Sequence, residues 1–170
     1  GTVPCFEEET HFVCHAAITK SGILNAAALE VQKLAGGCHI LINAAGQTRN
    51  VAPADLNSLT DEIFDEIVTT NLRGVFSTIR AFLPLLKANK DSLIINISST
   101  ASLRASQSNI AYAAAKAGLN LMTQSLAKAL APEVRLIAIA PGFLESPTSG
   151  ATKSAEFNTW AAETSPLKRI

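Results

Sequence analysis

Apolar positions along this chain fall into two rhythms that alternate with each other. Short runs at 11–16, 39–43, 92–97 and 134–140 have the length and branched-aliphatic content of strands, and the middle two lack polar alternation, as a sheet covered on both faces requires. Between them lie longer amphipathic stretches that predict three helices. Residues 21–35 end at Gly36-Gly37, Thr60 stands before Asp61 and Glu62 as an N-cap with acidic residues in the first turn, and 112–130 end before Pro132. Within 60–89, Gly74 and Pro84 weaken the helix locally, while Ile63, Ile67, Phe76, Ile79 and Leu83 keep a buried face. Strands alternating with helices in this way predict an α/β fold of βαβ units around a parallel sheet.

After Pro141 the pattern breaks. Residues 143–168 mix Ser, Thr and Pro with Phe143, Leu144, Phe157 and Trp160, which reads as a mobile lid over an apolar pocket or as a disordered tail. A chain of 170 residues suits one domain, 1–170, and can bury about 70% of its unfolded surface.

Charge and cysteine content narrow the function classes. Fourteen basic residues balance fourteen acidic ones, without the basic run expected of a nucleic-acid binder. No apolar run approaches the length of a membrane span, and no signal or transit pattern is visible at the first residues. Cys5, Cys14 and Cys38 are an odd count without paired spacing, so reduced cysteines and a cytoplasmic setting are expected. Cys14 and His15 are adjacent on a predicted strand and face opposite ways, so zinc is not expected.

Four motifs carry candidate chemistry. Asn43-Ala44-Ala45-Gly46 closes the second predicted strand with small residues, either an ordinary turn or a place where a ligand approaches the backbone at the carboxyl edge of a parallel sheet. Asn71, next to Leu72-Arg73-Gly74 within a predicted helix, is either a satisfied core amide or a polar group displayed at a kink. Ser98-Ser99 ends the third predicted strand and either caps the next element or points into a cleft. Tyr112 and Lys116, four apart, share a helix face. They are either a helix-start tyrosine with a snorkelling lysine or an acid with its activator. An ammonium about 4 Å from a phenolate is worth about 4 kcal/mol at an effective dielectric near 20, roughly three pKa units before desolvation.

Taken together, Asn43-Ala44-Ala45-Gly46, Asn71, Ser99, Tyr112, Lys116 and Pro141-Gly142 stand in the order and spacing of the short-chain dehydrogenases/reductases, which the chain resembles from about residue 11 onward. The resemblance implies a Rossmann-like, doubly wound parallel sheet and an enzyme that interconverts an alcohol and a carbonyl with NAD or NADP. Tyr112 is then the general acid/base. Lys116 lowers its pKa and binds the nicotinamide ribose, Ser99 holds the carbonyl oxygen, and Asn71 anchors a water in the proton path. Cofactor contacts are implied for Asn43, Ala44, Ala45, Gly46, Tyr112, Lys116, Pro141, Gly142, Leu144 and Ser146, where Ser146 replaces a usual threonine. Leu103 to Ile110 and 143–160 would line the substrate pocket, and a homodimer or homotetramer is implied.

The family's opening strand and glycine-rich turn have no counterpart in 1–42, so the sheet is expected to be incomplete, with strands corresponding to 3, 4, 5 and 6 of the family order and a gap beside the third. The closing helix and strand are missing as well, which implies a portion of a longer enzyme. A different class, a noncatalytic binding or regulatory module that retains the site residues without dinucleotide binding, accounts for the same departures. A serine hydrolase built on Ser99 lacks the Gly-x-Ser-x-Gly elbow.

Overall fold

A run of six residues, Ser92–Ile97, forms the central strand β4 of a three-stranded parallel sheet. It pairs with β3 (Ile40–Asn43) on one side, Ile40 opposite Leu93, and with β5 (Val134–Ile139) on the other, Ser92 opposite Val134. The structure, a computed structural model, describes residues 5–8, 11–105, 108–143 and 155–168. These residues divide into two units, Gly1–Ala140 and Pro141–Ile170.

Connections in the first unit are helical. Helix α1 (Ser21–Ala35) stops as the sequence predicts: Gly36 takes the left-handed conformation, φ 75°, which glycine adopts without steric cost. Helix α2 (Asp61–Val68) begins under Thr60, whose hydroxyl accepts from the Ile63 amide at 3.4 Å. A π-helical turn, Thr69–Gly74, then leads into α3 (Val75–Ala88), which Pro84 does not end. A short 3₁₀ turn (Thr100–Ser102) follows β4, and α4 (Ile110–Leu130) follows it. That helix starts two residues before the predicted Tyr112 because Asn109 accepts from the amides of Ala111 and Tyr112 at 2.9 and 3.4 Å.

Burial is one-sided. Val75, Ile79 and Leu86 of α3 and Leu119 and Leu130 of α4 pack with Ile94, Val134 and Leu136 into one apolar core. On the opposite face, Ile40, Ile42, Ile137 and Ile139 stand 45–58% exposed. The uninterrupted apolar runs predicted a sheet covered on both faces. Among the described residues the helices cover one, so Ile40 and Ile42 of the second run, which read as interior, are left exposed.

Two further expectations are corrected. The first predicted strand is shorter, His11–Cys14 (β2), and pairs antiparallel with β1 (Cys5–Glu8) in a separate two-stranded ribbon, so three of the four predicted strands form the parallel sheet. Cys14 is disulfide-bonded, and the ribbon register sets it opposite Cys5. Antiparallel pairing brings these positions face to face in a way that residue spacing does not reveal. Cys38 is free, and burial pushes its thiol up.

In the second unit, where a lid or an irregular tail was expected, residues Ala155–Thr164 form helix α5. Alanine and glutamate favour it. The Trp160 ring meets Phe143 edge-on, centroids 5.9 Å apart at 67°.

Candidate active site

Four of the sequence-predicted groups belong to elements at the carboxyl ends of β3 and β4. Asn43 is the last residue of β3 and is buried; Ala44, Ala45 and Gly46 follow it and are exposed. Asn71 sits on the π turn, fully buried. Its Nδ2 donates to the carbonyls of Gln47 (2.7 Å) and Ile67 (2.9 Å), and its Oδ1 accepts from the Gln47 amide at 3.3 Å. Asn71 is thus a satisfied core amide, set where the helix widens. The loop is held to this turn a second time, since Gln47 Nε2 donates to Thr70 Oγ1 at 3.0 Å.

Gly46, Asn71 and Lys116 converge. A methyl group at Gly46 would lie 2.9 Å from Asn71 Oδ1 and 3.6 Å from Lys116 Nζ. The bare backbone at 46 leaves an acceptor and a cation reachable in one place, a cradle that a side chain would fill.

Lys116 is only 4% exposed, and its ammonium donates to the Ile97 carbonyl at 2.7 Å. Burial brings its pKa down from 10.5 to about 8. One turn earlier on α4 stands half-buried Tyr112, whose ring centroid is 5.7 Å from Nζ. The ammonium therefore lies over the ring and is anchored to the end of β4, a closer association than helical spacing alone guarantees. Ser99, two residues past Ile97, caps the 3₁₀ turn: its Oγ accepts from the Ala101 amide at 3.2 Å. That bond uses a lone pair and leaves the hydroxyl proton available to donate.

A polar relay underlies this surface, and the sequence reading missed two of its members. Asn43 Nδ2 donates to Asn96 Oδ1 (2.8 Å), Asn96 Nδ2 to Thr123 Oγ1 (2.9 Å), and the Thr123 hydroxyl to the Leu119 carbonyl (2.7 Å). Because the hydroxyl proton is committed to Leu119, Thr123 accepts from Asn96, and each amide is oriented in turn. Asn96 carried a signal: a buried asparagine within an otherwise aliphatic strand needs a partner. Thr123 did not, being 27 positions away. Asn109 was missed too. It caps α4 and donates to the Arg49 carbonyl at 3.4 Å, while Arg49 pairs with Glu66 at 3.0 Å, so the loop after β3 is tied to both α2 and α4.

An apolar cavity of ≈ 320 Å³ opens between β2, α1 and the end of β3, with Phe12, Ile18, Leu24, Leu41 and Phe82 among its lining residues, and it reaches Asn43, Ala44 and Ala45. Small residues there admit a flat apolar group next to backbone. Pro141 and Gly142 belong to the second unit, and Leu144 and Ser146 lie outside the described residues.

Comparison with known proteins identifies the family. The short chain dehydrogenase family model matches residues 5–156. The 3-oxoacyl-(acyl-carrier-protein) reductase FabG of Thermotoga maritima is 37% identical over 118 residues, covering 69% of this chain and 46% of that protein. The 2-(R)-hydroxypropyl-CoM dehydrogenase of Xanthobacter autotrophicus is 34% identical over 133 residues, 78% of this chain and 53% of that one. The chain thus spans about half the length of these curated relatives. Among solved structures, the short-chain dehydrogenase/reductase SDR:glucose/ribitol dehydrogenase from Brucella melitensis superposes with a TM-score of 0.83 at 26% identity, covering 91% of this chain and 61% of that one. The Pseudomonas aeruginosa RhlG/NADP active-site complex does so with a TM-score of 0.81 at 27% identity, covering 91% and 62%. With a family match over most of its length and relatives above 30% identity, the chain belongs to the short-chain dehydrogenase family.

Proposed function

We propose that this chain carries the catalytic portion of a nicotinamide-dependent oxidoreductase that interconverts an alcohol and a carbonyl on a small molecule. The carrying observation is the convergence of Gly46, Asn71 and Lys116, with the Lys116 ammonium over the Tyr112 ring. Asn43 to Gly46, Tyr112 and Lys116 would hold the cofactor. When bound, the nicotinamide supplies or accepts the hydride.

The chain's own residues handle the oxygen. Reduction builds negative charge there, and donors aimed in advance stabilise it. Ser99 Oγ donates a hydrogen bond to the carbonyl oxygen and keeps its proton, and the Tyr112 hydroxyl delivers the one proton that makes the alcohol. The Lys116 ammonium, held to Ile97, favours the phenolate that remains and shares the ribose. Asn71 Oδ1, beside Gly46, orders a water that returns a proton toward Lys116. NAD and NADP both fit this reading, as does a cytoplasmic homodimer or homotetramer. The 3-oxoacyl reductases and the NADP complex among the relatives make a 3-oxo ester with NADPH the first pair to assay.

Tyr112→Phe tests the proposal. Loss of the general acid should lower kcat by about 10²- to 10⁴-fold with dinucleotide affinity kept. Full activity in Tyr112→Phe would sink the mechanism. A wild-type chain that binds neither NADH nor NADPH would point instead to the noncatalytic module.

A further inference from the structure

A second set of polar side chains ties α4 to Ser99, and the proposed reaction does not account for it. Ser102 Oγ donates to the Ser99 carbonyl oxygen, to which the Ser102 amide also donates at 3.0 Å. The same hydroxyl accepts from Asn120 Nδ2 at 2.7 Å and from Ser98 Oγ at 3.3 Å. Ser98 Oγ in turn lies 3.4 Å from the Lys116 carbonyl. A hydroxyl has one proton and two lone pairs, so Ser102 is fully used.

Asn120 is four residues beyond Lys116 and eight beyond Tyr112, and these three share one face of α4. Its amide points Nδ2 at Ser102, which leaves Oδ1 buried with no partner among the described residues. The reversed amide would put an acceptor against Ser102 and compete for the proton now on the Ser99 carbonyl. A buried acceptor without a partner carries a desolvation penalty. The observed orientation accepts that cost and keeps the Ser99 bond.

We infer that Ser102 and Asn120 are positioning residues: they fix the peptide plane that follows Ser99, and with it the direction of the Ser99 hydroxyl, relative to Tyr112 and Lys116 on the same helix. Ser99 Oγ is already held by its bond to the Ala101 amide, so its backbone is the remaining freedom, and Ser102 removes it. The inference rests on the role proposed for Ser99 above.

Three variants test it in this chain, with a 3-oxo ester and NADPH as probes. Ser102→Ala should lower kcat about tenfold or more and leave the KM for NADPH unchanged, since misplacing a reacting group reduces rate without touching cofactor binding. Ser102→Thr, which keeps the hydroxyl, should restore kcat to within about twofold. Asn120→Leu removes the orphan acceptor as well as the donor, so it should fold with undiminished Tm and still lose rate. A merely structural role predicts rate and Tm moving together.

A readout independent of turnover is the Asn120 side-chain NH₂ signal in ¹H–¹⁵N spectra. It should exchange slowly in the wild type and in Tyr112→Phe and quickly in Ser102→Ala. Unchanged kcat in Ser102→Ala, or rapid exchange of the Asn120 amide in the wild type, would overturn the inference. If the wild type reduces no carbonyl, the proposed function fails, and the exchange measurement still decides whether Ser102 and Asn120 hold Ser99.

Discussion

Replacing Lys116 by methionine, similar in length and uncharged, should remove a pH dependence whose size follows from its burial. The folded protein holds this ammonium at a pKa of about 8 against 10.5 when free, because burial disfavours the charge. Below about pH 8 the lysine is protonated in both states, and burying the charge costs about 3 kcal/mol. Between about pH 8 and 10.5 the unfolded chain binds more protons than the folded one, so the wild type gains stability as pH rises. Integrating over pH 7.5 to 9.5 gives a gain of about 2 kcal/mol for wild type relative to Lys116→Met.

Urea unfolding followed by far-ultraviolet circular dichroism at the two pH values measures the difference directly. Two parallel stability-against-pH curves would refute the account of Lys116 as a buried, partly neutralised ammonium. The offset at pH 7.5 carries separate information. Methionine sheds the desolvation cost but leaves the Ile97 carbonyl without its donor, a loss of about 1–3 kcal/mol, so the two proteins should differ little there.

Two other substitutions probe the framework. Thr123→Val keeps shape but deprives buried Asn96 of its acceptor, and it should lower stability by about 1–3 kcal/mol in the same denaturation assay, with Thr123→Ser recovering most of it. Gly74→Ala places a methyl 2.9 Å from Ile18 Cγ1 and 3.2 Å from two backbone oxygens, those of Ile18 and Thr69. It should cost about 1–3 kcal/mol in thermal unfolding, more than the small gain in helix propensity, and a stabilised variant would contradict the packing described.

Legibility in the sequence followed the range of the interaction. Thr60, Gly36 and the Tyr112–Lys116 pair act within one or two helical turns, and their spacing announced them. The π turn at 69–74 was foreshadowed by Asn71 and Gly74, two poor helix formers in sequence proximity. Asn96 with Thr123, and Ser102 with Asn120, meet only because β4 and α4 pack together, and residue order holds no trace of which hydroxyl an amide will find. The pairing of β2 with β1 was missed for a similar reason. An apolar run records that a strand wants covering but not by which neighbour or in which direction. Helix α5 went unread because scattered Ser, Thr and Pro nearby outweighed the local preference of Ala and Glu.

Strand β4 is shared by both parallel pairings, and this bears on the order in which the molecule assembles. Asn43 and Asn96 are 53 positions apart, and Ser92 and Val134 are 42 apart. Closing loops of those lengths differs in entropy by only about 0.2 kcal/mol, so chain topology gives neither pair a head start. Both pairings wait on the same central segment, while α1, α3 and α4 form from local contacts. Ser98 and Ser99, at the end of that segment, then acquire their geometry only when the whole sheet closes. A partly folded chain would display Tyr112 and Lys116 on a helix with nothing opposite them, and so the chemistry proposed for this site is confined to the folded state.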